Sequence, residues 1–365
     1  MTGAAPATNL RAHCNKAKGD ILGLAATASE TIAAKRAPEF LSAVDRLRAL
    51  TDADLKAVNR EILRRLDSPV TMIPELAGHL INAGGKRLRP MLTLASAGVF
   101  SYDGDDHVKL AASVELIHGA TLLHDDVVDG SALRRGASTA NIIWGNKESV
   151  LVGDFIFSRA FELMVEAKNL GVLRALSHAS GVIAEGEVLQ LTTQKNIAAT
   201  FETYINVVKA KTAALFAAAT EVGAMISGCG AQEEAAMRRF GDHFGVAYQL
   251  IDDALDYSGF EFALGKTVGD DFREGKMTAP VVFAIARARD EEKPFWRRVI
   301  AEGRQEKGDF EQARELMERD GALEDTIECA RSYTQKALDA LAEAPQNDFT
   351  QALADLVETS TARGA

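Results

Sequence analysis

The pattern that most narrows the folds open to this chain is helix-period apolar spacing, which continues with little interruption from about Leu41 to the C-terminus. Apolar residues recur every three or four positions, as in Leu55, Val58, Ile62 and Leu66, or Val207, Ala210, Ala214 and Ala217. That spacing gives a helix one buried face. Strand signals are nearly absent: no sustained apolar/polar alternation, and no Asn-Gly pair between apolar runs. Residues 110–123 and 213–228 are Ala, Val, Leu and Gly on nearly all sides, which places such helices in the middle of a bundle. Pro74, Pro90, Pro280 and Pro345 sit where helices should start or stop. The fold class read from this is all-α, a single large helical bundle. Residues 41–365 form one domain, and the Ala-rich residues 1–40 form a weakly ordered N-terminal extension.

Charge and cysteine usage exclude several functions. Against 41 Lys+Arg stand 52 Asp+Glu, a net charge of −11, so no global positive field draws in nucleic acid. Cys14, Cys229 and Cys329 are far apart and make neither a disulfide framework nor a zinc ribbon. No apolar run reaches the ~18 residues of a membrane span. The opening MTGAAPATNL lacks a charged segment followed by an apolar one, so it does not read as a secretory signal. A reducing, cytoplasmic setting is expected, with at most peripheral membrane contact.

One long-range self-similarity carries chemistry. Asp125-Asp126-Val-Val-Asp129 follows Leu122-Leu123-His124, and Asp252-Asp253-Ala-Leu-Asp256 follows Gln249-Leu250-Ile251. With roughly 100° per helical residue, Asp129 falls about 40° and Asp126 about 100° from Asp125. The same arithmetic groups Asp252, Asp253 and Asp256, with Gln249 about 60° from Asp252 inside their arc. Carboxylates so close repel one another and need a cation. Hard oxygen clusters suit Mg²⁺, shared with substrate phosphates. A single DDxxD reads equally well as a solvated helix face; two copies, each ending an apolar helix, do not. A di-iron site needs two Glu-x-x-His units, and this chain has one, Glu115–His118.

Basic groups recur beside the acidic boxes. Gly84-Gly85-Lys86-Arg87-Leu88-Arg89-Pro90 joins two helices; its glycines can cap the first and Pro90 can open the second. That account leaves the three cations unexplained, whereas a helix start with free N–H groups is a phosphate site. Arg134-Arg135-Gly136 follows the first box, Lys211-Thr212 lies on a helix, and Lys266 and Lys276 flank Asp270-Asp271. Each alone is surface charge. Together with two acid boxes they fit metal-bridged diphosphate chemistry, in which preplaced cations receive the charge of a leaving diphosphate. An apolar interior beneath would hold a hydrocarbon and exclude water.

At these motifs the chain resembles the trans-isoprenyl diphosphate synthases (polyprenyl synthetases). GGKRLRP, LLHDDVVD with RRG, and QLIDDALDY with LGKTVGDDFREGK match in order and spacing, from about Leu47 to Arg363. The long-chain octaprenyl to decaprenyl type, which makes quinone side chains, is the nearest. The resemblance implies helices around a central apolar cavity, usually a homodimer. It also implies Mg²⁺-dependent ionisation of an allylic diphosphate such as farnesyl diphosphate, with head-to-tail attack by isopentenyl diphosphate and proton loss.

Carried over by motif position, Asp125, Asp129 and Asp252 would hold the metal, supported by Asp126, Asp253 and Asp256. Lys86, Arg89, His118 and Arg135 would bind isopentenyl diphosphate. Arg134, Lys211, Thr212, Gln249 and Lys266 would hold the allylic diphosphate. The wheel supports His118 independently, about 20° from Asp125, and leaves His124 structural. Met277-Thr278-Ala279-Pro280 departs from the more usual Thr-Leu-Pro run and touches no catalytic position. Residues just before the first box are taken to limit product length, and Ala120 and Thr121 are small; a floor then falls to Phe155, Phe157, Phe161 or Met164. The other readings are a geranylgeranyl-range synthase, a terpene cyclase of similar fold, and a non-catalytic partner subunit. GGKRLRP and His118 argue against a cyclase, and two intact acid boxes argue against a silent subunit.

Overall fold

The computed structural model describes residues 29–82, 85–134, 136–258 and 268–363. Expectations for Arg135, Lys266 and residues 1–28 lie outside the described residues. Within them the chain is all-α. Helix α1 spans Ser29–Arg65, so the boundary expected at residue 40 falls inside a helix, and Phe40 is only 1% exposed.

Helices α2 (Met72–Asn82), α3 (Leu88–Val99) and α4 (Asp106–Val128) follow. A short antiparallel hairpin, β1 (Leu133–Arg134) with β2 (Ala137–Ser138), leads into α5 (Ala140–Ile143) and α6 (Asn146–Glu166). Then come α7 (Leu170–Thr193), α8 (Phe201–Val208), a π-helical turn (Lys209–Ala213), α9 (Ala214–Ile226) and α10 (Ala231–Tyr257). The C-terminal part is α11 (Asp270–Arg273), α12 (Ala279–Arg287), α13 (Lys293–Trp296), a second π turn (Arg297–Ala301), α14 (Asp309–Arg319), α15 (Ala322–Leu341) and α16 (Asp348–Ala362). Asn169, Thr200 and Asn347 accept N–H bonds at the starts of α7, α8 and α16, each cap contributing about 1 kcal/mol. Helix α3 begins at Leu88, two residues before Pro90, behind Arg87 in the left-handed region at φ 53°.

Two apolar cores form. The first gathers α1, α3, α4, α6, α7, α9 and the first half of α10, through Met237, Phe240 and Phe244. The second gathers α8, the second half of α10 and α12 to α15, with Leu250, Ile251, Tyr257, Phe272 and Trp296 at its centre. Burying each of these large side chains contributes about 1.5–3 kcal/mol. Helix α4 thus ends over one core and α10 over the other, each carrying an acidic box at its end. The π turn is gripped between α7 and α10 through glycines. A Cβ on Gly186 would stand 2.6 Å from the Ala210 Cβ, and one on Gly245 would stand 2.6 Å from the Ala213 Cα.

Candidate active site

The three aspartates of the first box do not act alike. Asp126 is 2% exposed, and its Oδ1 accepts from Arg134 Nε at 2.9 Å and Nη2 at 2.8 Å. Its carbonyl accepts from Asn141 Nδ2 and from the Ser131 N–H. Asp126 therefore ties α4 to the hairpin, which corrects the expectation of three carboxylates in one arc. Asp125 is instead held near Lys211, whose Nζ lies 3.8 Å from its Oδ2 and 2.9 Å from Glu187. Burial pushes the Asp125 carboxyl up to about 6; Lys211 pulls it down, and Glu187 and Asp129 push it up. Asp129 caps the helix with its N–H on the Asp125 carbonyl.

The second box repeats the division. Asp253 is 3% exposed and accepts from Tyr204 Oη at 2.6 Å and Gln249 Nε2 at 2.7 Å. Burial pushes its carboxyl up to about 8. Asp256 Oδ2 accepts the Asp271 N–H, and its carbonyl accepts the Gly269 N–H, fixing the segment after the helix. Asp252 and Asp256 remain half-buried. Lys276 lies beside Glu274 and 3.7 Å from Asp271. Burial works against its charge, but Asp271, Glu274 and the more distant Asp129 hold it above the ordinary lysine range.

The π turn joins the two boxes: Lys211 reaches Asp125, while the Thr212 hydroxyl donates to Gln249 Oε1 at 3.0 Å. Bulges of this type widen a helix by one residue and recur at functional sites. Gln249 is expected to face a diphosphate; here its amide nitrogen is on Asp253 and its oxygen on Thr212. Arg134, likewise expected on a diphosphate, is on Asp126.

Among the described residues no three His, Cys, Asp or Glu side chains converge on one cation position. The donor set fits Mg²⁺ in its other habit, shared between one or two carboxylates, waters and substrate phosphates.

The basic loop sorts itself too. Arg87 pairs with Glu115 on α4 and donates to the Ile81 carbonyl, so the middle cation is structural. Arg89 Nη1 lies 3.1 Å from His118 Nε2, and its guanidinium stacks 4.6 Å from the Phe216 ring. Lys86 Nζ lies 4.3 Å over Phe40, and the buried Arg363 packs on the same ring. His118 is seven residues before Asp125, about 10 Å along the helix. The two clusters are thus spaced for two anionic groups.

The Polyprenyl synthetase family model matches residues 70–317. The chain belongs to that family. Octaprenyl diphosphate synthase of Escherichia coli K12 is 42% identical over 320 residues, 88% of this chain and 99% of its own. A polyprenyl synthase of Caulobacter crescentus, crystallised with calcium and isoprenyl diphosphate, is 52% identical with a TM-score of 0.85, covering 88% of this chain and 98% of its own. A decaprenyl diphosphate synthase of Rhodobacter capsulatus is 51% identical with a TM-score of 0.85, covering 88% and 99%.

In this polyprenyl synthetase Ala120 is fully buried, and Thr121 turns its hydroxyl back to the His118 carbonyl. Phe157 and Phe161 meet edge-on at 5.3 Å, Phe155 lies under Arg159, and Met164 is in the first core. His124 bonds the Val150 carbonyl, the structural role expected. Sequence reasoning missed Glu187 and Tyr204, because each is one polar residue on an otherwise ordinary amphipathic helix.

Proposed function

We propose that this polyprenyl synthetase is a long-chain trans-polyprenyl diphosphate synthase. It adds isopentenyl diphosphate head-to-tail to an allylic diphosphate, farnesyl diphosphate being the expected starter, to give an octaprenyl to decaprenyl product for a quinone side chain. The observation that carries this is the Lys211–Thr212 turn, which touches Asp125 of the first box directly and reaches Asp253 of the second through Gln249. A cation at the first box and a hydrogen-bond chain to the second then sit on one turn, an arrangement suited to a diphosphate held between the boxes.

In the reaction the allylic C1–O bond breaks and its electron pair leaves with diphosphate. Lys211 and Lys276, each held by carboxylates beside the boxes, would receive that negative charge. Asp125, Asp129 and Asp252 would hold Mg²⁺, which when bound supplies further positive charge to the leaving group. Lys86, Arg89, His118 and Arg135 would grip the isopentenyl diphosphate. Its double bond joins the allylic C1, and the resulting cation loses a proton. Thr212 and Gln249, with Arg134 and Lys266, would orient the allylic diphosphate. The apolar walls keep water from the cation.

Long chain is supported by the octaprenyl and decaprenyl relatives and by the small side chains at 120 and 121. No helix among the described residues is long and apolar enough to cross a membrane, in keeping with a cytoplasmic enzyme that meets the membrane only at its periphery. Exposed Val128, Leu133, Ile142, Ile143 and Leu151 give a second copy apolar surface to cover, as a homodimer needs. The test is incubation with farnesyl diphosphate, labelled isopentenyl diphosphate and Mg²⁺, followed by sizing of the dephosphorylated products. Products of eight to ten isoprene units are expected. A ladder stopping at four or five would assign a geranylgeranyl-range enzyme, and no product from folded protein would leave the partner-subunit reading.

A further inference from the structure

Tyr204 belongs to no motif, yet it sits at one end of a hydrogen-bond chain running through the proposed allylic site. The residue is 6% exposed, and its hydroxyl donates to Asp253 Oδ2 at 2.6 Å. Asp253 Oδ1 accepts from Gln249 Nε2 at 2.7 Å, and Gln249 Oε1 accepts from Thr212 Oγ1 at 3.0 Å. The four residues come from α8, α10 and the π turn. Each link fixes the next. With both carboxylate oxygens taken, Asp253 has one orientation. Its acceptor oxygen draws the Gln249 amide nitrogen, so the amide cannot flip, and only the oxygen is left for Thr212.

The chain ends beside two groups that the reaction uses. Thr212 is the neighbour of Lys211, and Asp253 is the neighbour of Asp252. We infer that Tyr204 is a positioning residue that, through Asp253, Gln249 and Thr212, sets the distance between Lys211 and Asp252 and so preorganises the allylic-diphosphate half of the site. It does not touch substrate. The isopentenyl half is built from α3 and α4 and shares no member of the chain, so it should be indifferent. A buried network of this kind holds its geometry only while every link is made, and preorganised donors matter most where charge develops.

The inference rests on the proposed function, and the test separates the two. Tyr204→Phe removes the hydroxyl and keeps the ring against Phe201, whose centroid is 5.8 Å away. With the full-length protein and Mg²⁺, the KM for farnesyl diphosphate should rise about tenfold, the loss of one buried hydrogen bond. The KM for isopentenyl diphosphate should stay within twofold. In the double variant with Gln249→Met, the allylic KM should be no worse than in Gln249→Met alone, because both cut the same chain.

Equal changes in both KM values, or an unchanged allylic KM, would overturn the inference and leave Tyr204 a packing residue. Additive effects in the double variant would also overturn it. Should Tyr204→Phe not fold, Gln249→Met carries the same split, and an unaltered allylic KM there would overturn the chain as a positioning device. Inactive wild-type protein would instead strike at the proposed function.

Discussion

The two acidic boxes share a sequence pattern and a division of labour, but they are anchored by different physics. In each, the middle aspartate is buried, while the outer two are only partly buried. Asp126 is anchored by an ion pair to Arg134, whose side chain is 30% exposed on the hairpin. Asp253 is anchored by neutral donors from Tyr204 and Gln249 inside the second core. An ion pair with one partner partly in water is screened on that side; a network buried throughout is not. The same motif therefore hangs on a compliant support at the first box and a rigid one at the second. The rigid half also holds the orienting residues Thr212 and Gln249.

The largest effect expected is at the cleft-facing aspartates. Asp125→Asn and Asp252→Asn should each lower kcat by about 10³-fold, the scale on which removing preplaced electrostatic stabilisation acts. The fold should survive in both, as read by circular dichroism. A smaller effect on either variant would show that its box is the lesser partner in diphosphate binding. Next come the anchors. Asp253→Ala strands the Tyr204 hydroxyl and the Gln249 amide, and should cost about 3 kcal/mol in urea unfolding. Asp126→Ala leaves a guanidinium that can turn to water, and should cost about 1 kcal/mol. Equal costs would mean that the hairpin is as rigid a support as α8.

Much of this was legible from spacing. Helical periodicity named the class, and the positions of Asp125, Asp252, Arg89 and His118 followed from motif and wheel. Three things were not. The wheel treats α4 as an ideal rod with a free surface, so it grouped Asp126 with Asp125; the hairpin that captures Asp126 exists only in the fold. Tyr204 and Glu187 act through partners 49 and 24 residues away, and no local pattern records such a pairing. The run of α1 across residue 40 went unread because a helix can start in Ala-rich sequence whose apolar stripe is too weak to show a period.

The last predicted effect is a pH dependence in the metal-free protein. Asp125 and Asp253 are raised by burial to about 6 and about 8, whereas an unfolded-chain aspartate titrates near 3.9. Between those limits the folded state binds more protons than the unfolded one, so stability falls as pH rises. The loss begins near pH 4, continues through pH 6 as Asp125 ionises, and ends above pH 8 when Asp253 has done so. Its slope is at most about 1.4 kcal/mol per pH unit for each group. Urea midpoints in chelator, taken from pH 4 to 9, should therefore decline. Asp125→Asn should flatten the lower part of the curve and Asp253→Asn the part between pH 6 and 8. Adding Mg²⁺ should restore stability chiefly through Asp125, since Asp253 faces Tyr204 rather than the cleft. Rescue that depended on Asp253 instead would reverse the roles assigned to the two aspartates.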